Sequence, residues 1–268
     1  MKRLKITPAK LLPLIITGLL SATTAQAELV VSIYGGKSVT EDGDLTLKQD
    51  KTNLTYKDIR WDDHSFEEPS YYGAKLGYWF DKHPNYGVSL DFTHLKNYLV
   101  DSDSKTRTGT DNTGKSVTET SAINNGEKYY MGNCAGTANC SPLSQFNMSH
   151  GVNTITFNGH YRWFPTGQRD NTVLGRLQLY SGLGAGFSVP HVEARVYGKK
   201  TYEYQWGAGP VVNGMLGFNY DIYKMISGFG EYRLTYVNVE DDLIGGGTID
   251  TETVNHQFIF GLSARFDL

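Results

Sequence analysis

The sequence predicts an eight-stranded antiparallel transmembrane β-barrel of the outer-membrane type, and three observations support this fold class. The 268 residues include 30 glycines, 18 tyrosines and 12 phenylalanines, with only 20% charged residues, which disfavours disordered chains and helix-rich enzymes. Beyond the first 30 residues no apolar run approaches the ~20 residues that a membrane-spanning helix needs. Segments with period-2 alternation of apolar and polar residues recur, joined by alternately long and short links.

The first 27 residues are typical of an export signal. Basic Lys2, Arg3 and Lys5 precede the apolar stretch 11–20, and small residues at 25–27 suit a cleavage site. Removal of this segment leaves 21 of the 25 basic residues against all 28 acidic ones, a net charge of −7. That balance argues against a nucleic-acid partner. Export also makes an oxidising compartment the expected environment.

Eight segments have the length and alternation of tilted membrane-spanning strands. They are roughly 28–38, 70–80, 86–97, 150–163, 174–189, 208–220, 225–237 and 253–266. Four connections between them are long, and these are about 39–69, 98–149, 190–207 and 238–252. An even-stranded barrel with both termini in the periplasm has its long loops outside the cell. We therefore expect residues 28–268 to form one barrel, embedded as a monomer in the bacterial outer membrane.

Side chains in such strands must point alternately to lipid and to the lumen. Phe258, Phe260 and Leu262 share one parity of the last segment, whereas Gln257 and Arg265 share the other. The interior of an eight-stranded barrel is filled by side chains, and buried charges must be paired. We expect a lumen plugged by ion pairs among the inward-facing charged residues, which are Lys75, Asp91, Arg162, Arg176, Glu231, Arg233 and Arg265.

Aromatic residues are expected to form a belt at the periplasmic interface, where amphipathic rings are favoured. The residues concerned are Trp79, Tyr86, Trp163, Tyr220 and Phe266.

Histidines concentrate in the long loops and at the loop-side ends of strands. The five in question are His64, His94, His150, His191 and His256. His191 and Glu193 lie two apart and share a face in extended chain. Such a pair can bind a divalent metal or act as an acid/base pair, and it can also be merely solvated.

Cys134 and Cys140 lie in a stretch rich in Gly, Ser, Thr and Asn. In an exported protein we interpret them as a loop-closing disulfide. A two-thiol metal site is the alternative, but a companion cysteine pair is missing from the sequence.

Several stretches resemble the outer-membrane lipid A oxidase family. They are 71–81 (YYGAKLGYWFD), 84–88 (PNYGV), 91–96 (DFTHLK), 159–163 (GHYRW), 184–193 (GAGFSVPHVE), 230–232 (GEY), 256–257 (HQ) and 260–262 (FGL). The resemblance implies an exported eight-stranded barrel that oxidises the proximal glucosamine of lipid A to 2-aminogluconate. Molecular oxygen would be the oxidant, with a divalent metal cation as the implied cofactor. The loop 98–149 has no counterpart in this resemblance.

The resemblance and the rim histidines together define a candidate site. We expect catalytic roles for His191 and Glu193, which are also the candidate metal ligands, supported by His94, His150 and His256. Lys96 and Arg195 are candidates for binding the phosphates of lipid A, the expected partner within the outer-leaflet lipopolysaccharide. These five catalytic candidates cannot all bind one ion, because the strand carrying His256 is several strands away from the others.

Two other functions remain open. A non-catalytic surface barrel, with adhesive or structural loops, would make the histidines incidental. A lipid A deacylase would need a serine with a histidine partner on the lipid-facing side, and Ser188 near His191 is the candidate pair. Ser188, however, has the inward parity of its strand.

Overall fold

The computed structural model describes residues 27–100, 104–122 and 142–268. Within these ranges the chain forms fourteen β-strands: β1 Glu28–Thr40, β2 Gly43–Gln49, β3 Thr52–Ile59, β4 Trp61–Asp62, β5 Tyr72–Trp79, β6 Tyr86–Leu99, β7 Ser104–Thr110, β8 Ser116–Ala122, β9 Leu143–Trp163, β10 Leu177–Val196, β11 Lys199–Tyr204, β12 Pro210–Tyr223, β13 Ile226–Asp242 and β14 Thr248–Asp267. None of the described residues belongs to a helix long and apolar enough to cross a bilayer. Residues 1–26 of the predicted export segment, together with Cys134 and Cys140, lie outside the described residues.

Eight of these strands close into an antiparallel ring. The order around the ring is β1, β5, β6, β9, β10, β12, β13 and β14, and β14 pairs again with β1 along its length. All eight predicted membrane-spanning segments are thus confirmed as neighbours in one closed barrel. Closure leaves no open edge, which is the condition for a sheet to cross a bilayer.

The outer surface of the ring is apolar. Ile33, Leu183, Leu216 and Phe260 are each more than 60% exposed, although they are large hydrophobic residues in regular strands. Residues of the opposite parity, such as Asn158, are buried and polar. This pattern inverts that of a water-soluble barrel and matches a lipid-facing exterior.

The aromatic belt is confirmed only in part. Tyr86, Trp163 and Phe266 are exposed near the short turns. Trp79 was wrongly placed in the belt, because it shares the inward parity of Lys75 and its ring lies 4.3 Å from the Arg162 guanidinium carbon. It therefore lines the lumen.

A four-residue ion network fills the middle of the lumen. The Arg233 Nη2 atom lies 2.7 Å from Asp91 Oδ2 and 2.6 Å from Glu231 Oε1. Lys75 Nζ lies 2.7 Å from Glu231 Oε2. The Tyr180 hydroxyl donates to the same carboxylate oxygen at 2.8 Å. These groups are buried, and the predicted plug of paired charges is confirmed for them.

A second network lies nearer the short turns. Arg162 and Arg169 both pair with Glu28, at 2.6 and 2.8 Å. Arg169 and Arg265 both pair with Asp221, at 3.1 and 3.4 Å. The cavity between these residues encloses about 60 Å³ of free space.

Arg176 differs from the expectation, because it lies in the turn before β10 and not within an inward-facing strand. The Asp170 carboxylate accepts hydrogen bonds from the backbone N–H and hydroxyl of Thr172. Arg176 then donates its backbone N–H to the Thr172 carbonyl at 3.1 Å. This folded turn delays the start of the strand to Leu177.

The long connections continue the sheet beyond the membrane. β2 pairs with β14, β3 with β2, and β7 with β3, while β11 folds back on β10. We call the end of the barrel that carries these strands the loop end. An apolar core fills it, including Leu45, Leu54, Leu95, Phe146, Val192 and Val239.

Asp241 lies within this apolar part of the loop end. Its residue surface is only 1% exposed, and the described residues provide no ion-pair partner for it. The pKa of Asp241 is raised to about 7, first by burial and further by the neighbouring negative charges of Asp242 and Glu203.

The central ion network leads to a stability prediction. Arg233→Ala would leave Asp91 and Glu231 buried with one cation, Lys75, between them, so the free energy of unfolding should fall by about 3–5 kcal/mol. Urea unfolding in detergent micelles, followed by tryptophan fluorescence, measures the change. Lys57→Ala is the control, because Lys57 pairs with Asp44 on the surface and its loss should cost under about 1 kcal/mol. Equal effects of the two variants would contradict this account of the lumen.

Asp241 leads to a pH-dependent prediction. Because its folded-state pKa of about 7 lies above the ordinary 3.8, the folded protein holds the proton more tightly, and stability falls as the pH rises between these values. Asp241→Asn should stabilise the protein at pH 8 by about 1–3 kcal/mol, and the gain should shrink towards pH 4. Asp242→Asn, at the exposed neighbour, should show a much weaker pH dependence in the same unfolding assay. A pH-independent gain in Asp241→Asn would refute the assignment.

Candidate functional site

An irregularity in β9 shapes the candidate site. β9 and β10 pair regularly as far as Val152 opposite Pro190, and the next pair is Asn147 opposite Glu193. Four residues of β9 therefore face two of β10. Gly151 has a φ of +105°, which residues with a side chain rarely adopt. The bulge turns His150 outward, although the even positions of β9 otherwise face the lumen.

The folded-back strand β11 completes the site from the other side. His191 lies opposite Tyr204, and Glu193 lies opposite Tyr202, so these four residues share one face of the sheet. The His191 ring centroid is 4.4 Å from each of the two tyrosine rings. His191 and Glu193 continue the outward parity of Leu183 and Phe187 on β10, and Val189 before them is already buried. The site therefore lies just beyond the lipid-facing band.

His150, His191 and Glu193 form a three-donor cluster. One ligating atom from each lies within 4.8 Å of the others. His150 Nδ1 and Glu193 Oε1 are 3.1 Å apart, and the two imidazole centroids are 4.7 Å apart. The His150 side chain is 47% exposed, whereas that of Glu193 is 13% exposed. The cluster thus has one open side, on the exterior of the barrel.

The surroundings of His191 favour the uncharged form of its imidazole. It is 3% exposed, and burial, followed by the nearby His150, lowers its pKa below the usual value. Its Nδ1 atom is buried without a hydrogen-bond partner among the described residues. A neutral imidazole nitrogen of this kind can accept a proton or bind a metal.

Polar neighbours hold the other two members of the cluster. The Ser149 hydroxyl donates to Glu193 Oε1, and Gln145 Nε2 reaches Glu193 Oε2 at 3.5 Å. Tyr202 Oη lies 3.4 Å from His150 Nε2. Ser149 Oγ also lies 3.0 Å from His150 Nδ1. Because Ser149 and Glu193 meet the same ring nitrogen, they do not form the serine–histidine–acid relay of hydrolases, which uses both nitrogens.

The structure brings together only part of the predicted set. His94 packs behind the bulge, where its Nδ1 lies 2.8 Å from Asn153 Oδ1 and its ring stacks on Tyr72 at 4.8 Å. A Cβ at Gly151 would lie 2.3 Å from the His94 ring, so His94 supports the bulge. His256 is on β14, in a separate pair with Glu41 at 2.8 Å.

The predicted phosphate-binding cations have different surroundings. Lys96 is 2% exposed and donates to the Glu67 carbonyl at 3.0 Å, which turns it away from the open side. Arg195 is half-buried on β10, opposite Lys200. Sequence reasoning missed Lys200, whose ammonium lies 4.7 Å from the Tyr202 ring centroid and whose charge acts on His191.

Ser188 does not join the site. It is fully buried on the inward face of β10, and its hydroxyl donates to the Asn238 carbonyl at 3.2 Å. The inward parity expected for Ser188 is confirmed, and the residue is separated from His191 by the wall of the barrel.

The fold and the cluster define an outer-membrane β-barrel with a His–His–Glu cluster on the outer side of its rim. No protein-family model matches the sequence, and no curated protein matches it. Among solved structures, the outer membrane protein OprG from Pseudomonas aeruginosa aligns over 91% of this chain and 97% of its own, with 10% identity and a TM-score of 0.40. Neisserial surface protein A aligns over 90% of this chain and 97% of its own, with 10% identity and a TM-score of 0.35. The attachment invasion locus protein Ail of Yersinia pestis aligns over 91% and 100%, with 11% identity and a TM-score of 0.33.

Proposed function

We propose that this protein is an outer-membrane enzyme that oxidises the proximal glucosamine of lipid A to 2-aminogluconate with molecular oxygen. The observation that carries the proposal is the position of the His150, His191 and Glu193 cluster. It opens to the exterior of the barrel, just beyond the last lipid-facing residues of β10. With the long loops outside the cell, that level is where the sugars of outer-leaflet lipid A lie.

The oxidation balances with oxygen as the only oxidant. The hydroxyl-bearing C1 carbon of the sugar loses its C–H bond and its O–H proton, and becomes the carbonyl of a lactone. The two electrons and two protons reduce one oxygen molecule to hydrogen peroxide. Water then opens the lactone to the carboxylic acid, so the lipid gains one oxygen atom overall. The substrate sugar must therefore carry a free hydroxyl at C1.

The surroundings of the cluster suit an acylated disaccharide that carries its phosphate away from C1. Lys200 supplies a positive charge beside Tyr202, and phosphate groups bind such cations. Tyr202 and Tyr204 are about half exposed beside His191 and offer aromatic faces against which a sugar ring can pack. The exposed Leu183, farther down β10, faces the region of the acyl chains.

The two competing functions make different demands. A deacylase needs an activated serine, and neither Ser188 nor Ser149 has the required relay. A purely structural or adhesive barrel has no need to hold a buried imidazole beside a carboxylate on its lipid-side rim. Mass spectrometry of lipid A distinguishes this non-catalytic barrel from the proposed oxidase.

The cluster leads to an activity prediction. Expression of the protein in a host whose lipid A has a free C1 hydroxyl and lacks this modification should add one oxygen atom to the lipid A, seen by mass spectrometry. His191→Ala and Glu193→Gln should lower the modified fraction at least about 100-fold, as expected when a catalytic group is lost. His256→Ala removes a rim histidine that also pairs with a glutamate, and should leave the modification unchanged.

Folding of each variant is checked by the heat-dependent shift of the barrel on SDS gels. Unmodified lipid A with a correctly folded wild-type protein would refute the proposed oxidation and favour the non-catalytic barrel. Equal activity in the wild type and in folded His191→Ala would refute the assignment of the site.

A further inference from the structure

We infer that His150, His191 and Glu193 bind one iron(II) ion. The inference starts from the spacing of the donors. Typical metal–nitrogen and metal–oxygen distances of about 2.0–2.2 Å place the ligand atoms of one ion roughly 3–4 Å apart. The His150–Glu193 separation of 3.1 Å is already in that range, and all three donor atoms lie within 4.8 Å. Small side-chain rotations would bring all three donor atoms to the spacing of ligands around one ion.

A buried, unpartnered donor points to a ligand at this place. His191 is 3% exposed, and its Nδ1 atom has no hydrogen-bond partner in the described part of the chain. Burying a polar nitrogen without a partner costs free energy, which a bound ion would offset.

The remaining ligands have the supporting contacts that metal sites need. Tyr202 Oη lies 3.4 Å from His150 Nε2, the ring nitrogen opposite the one that faces Glu193. Ser149 and Gln145 both contact the Glu193 carboxylate. Metal-bound histidines and carboxylates are oriented by outer partners of this kind.

The donor set selects the class of metal. Two imidazoles and one carboxylate on one side of an ion, with the other side open, occur in non-haem iron(II) oxygenases and in catalytic zinc sites. Sulfur ligands are missing from the cluster, and imidazoles are poor ligands for magnesium and calcium. Zinc has no redox chemistry. The choice of iron over zinc therefore rests on the proposed oxidation, for which iron supplies electron transfer to oxygen.

The test measures metal binding by the full-length barrel in detergent. Metal-free protein is equilibrated anaerobically with iron(II), and bound iron is counted by elemental analysis after gel filtration. We expect one iron per chain in the wild type and in His256→Ala. His191→Ala and Glu193→Gln should retain less than a tenth of it at the same iron concentration. Ser149→Ala, which keeps all three ligands, should weaken affinity about 10–100-fold.

The outcomes separate this inference from the proposed function. Bound iron that depends on His191 and Glu193, with lipid A unchanged, would support the metal site and refute the oxidation. Modified lipid A from a protein that binds no iron would refute the metal site and leave the oxidation standing. Lipid A modification by protein loaded with zinc and free of iron would overturn the assignment of iron. Iron bound equally by wild type and His191→Ala would overturn the ligand set.

Discussion

Hydrogen bonding of the backbone in a medium without water is the constraint on which this structure depends. Each strand inside a bilayer must pair on both edges, and the pairing of β14 with β1 meets that requirement for the whole ring. Closure in turn confines the inward-facing side chains to a narrow interior. The charges at Asp91, Glu231 and Arg233 are tolerated there because they satisfy one another.

Period-2 alternation predicted most of the fold, because lipid on one side and a packed lumen on the other impose it on every membrane-spanning strand. The eight strands and the ionic plug follow from it directly. Trp79 was assigned to the interfacial belt because it is aromatic, but its position in the strand decides its direction. The alternation that places Lys75 inward places Trp79 inward too. The sheet beyond the membrane was not predicted, because hairpins such as β2–β3 pair through tertiary contacts and not through any requirement of lipid.

The sequence predicted the residues of the site better than it predicted their arrangement. His191 and Glu193 share a face because they are two apart in a regular strand. His150 joins them only through the bulge at Gly151, and parity alone would have turned it into the lumen. A glycine inside a strand whose polar and apolar residues otherwise alternate, such as Gly151, is the sequence signal for a bulge of this kind. Lys200 could not be found from sequence, because β11 had no pattern of its own.

The outward orientation of the cluster determines how a molecule can reach it. The cluster faces the exterior of the barrel, so a lipid partner would reach it sideways, by two-dimensional diffusion along the membrane, at the sector formed by β9, β10 and β11. A lipid would keep its tails immersed throughout the encounter and would need no extraction into water. Collision with the other sectors of the barrel would be unproductive, which makes the orientation of each encounter as important as its frequency.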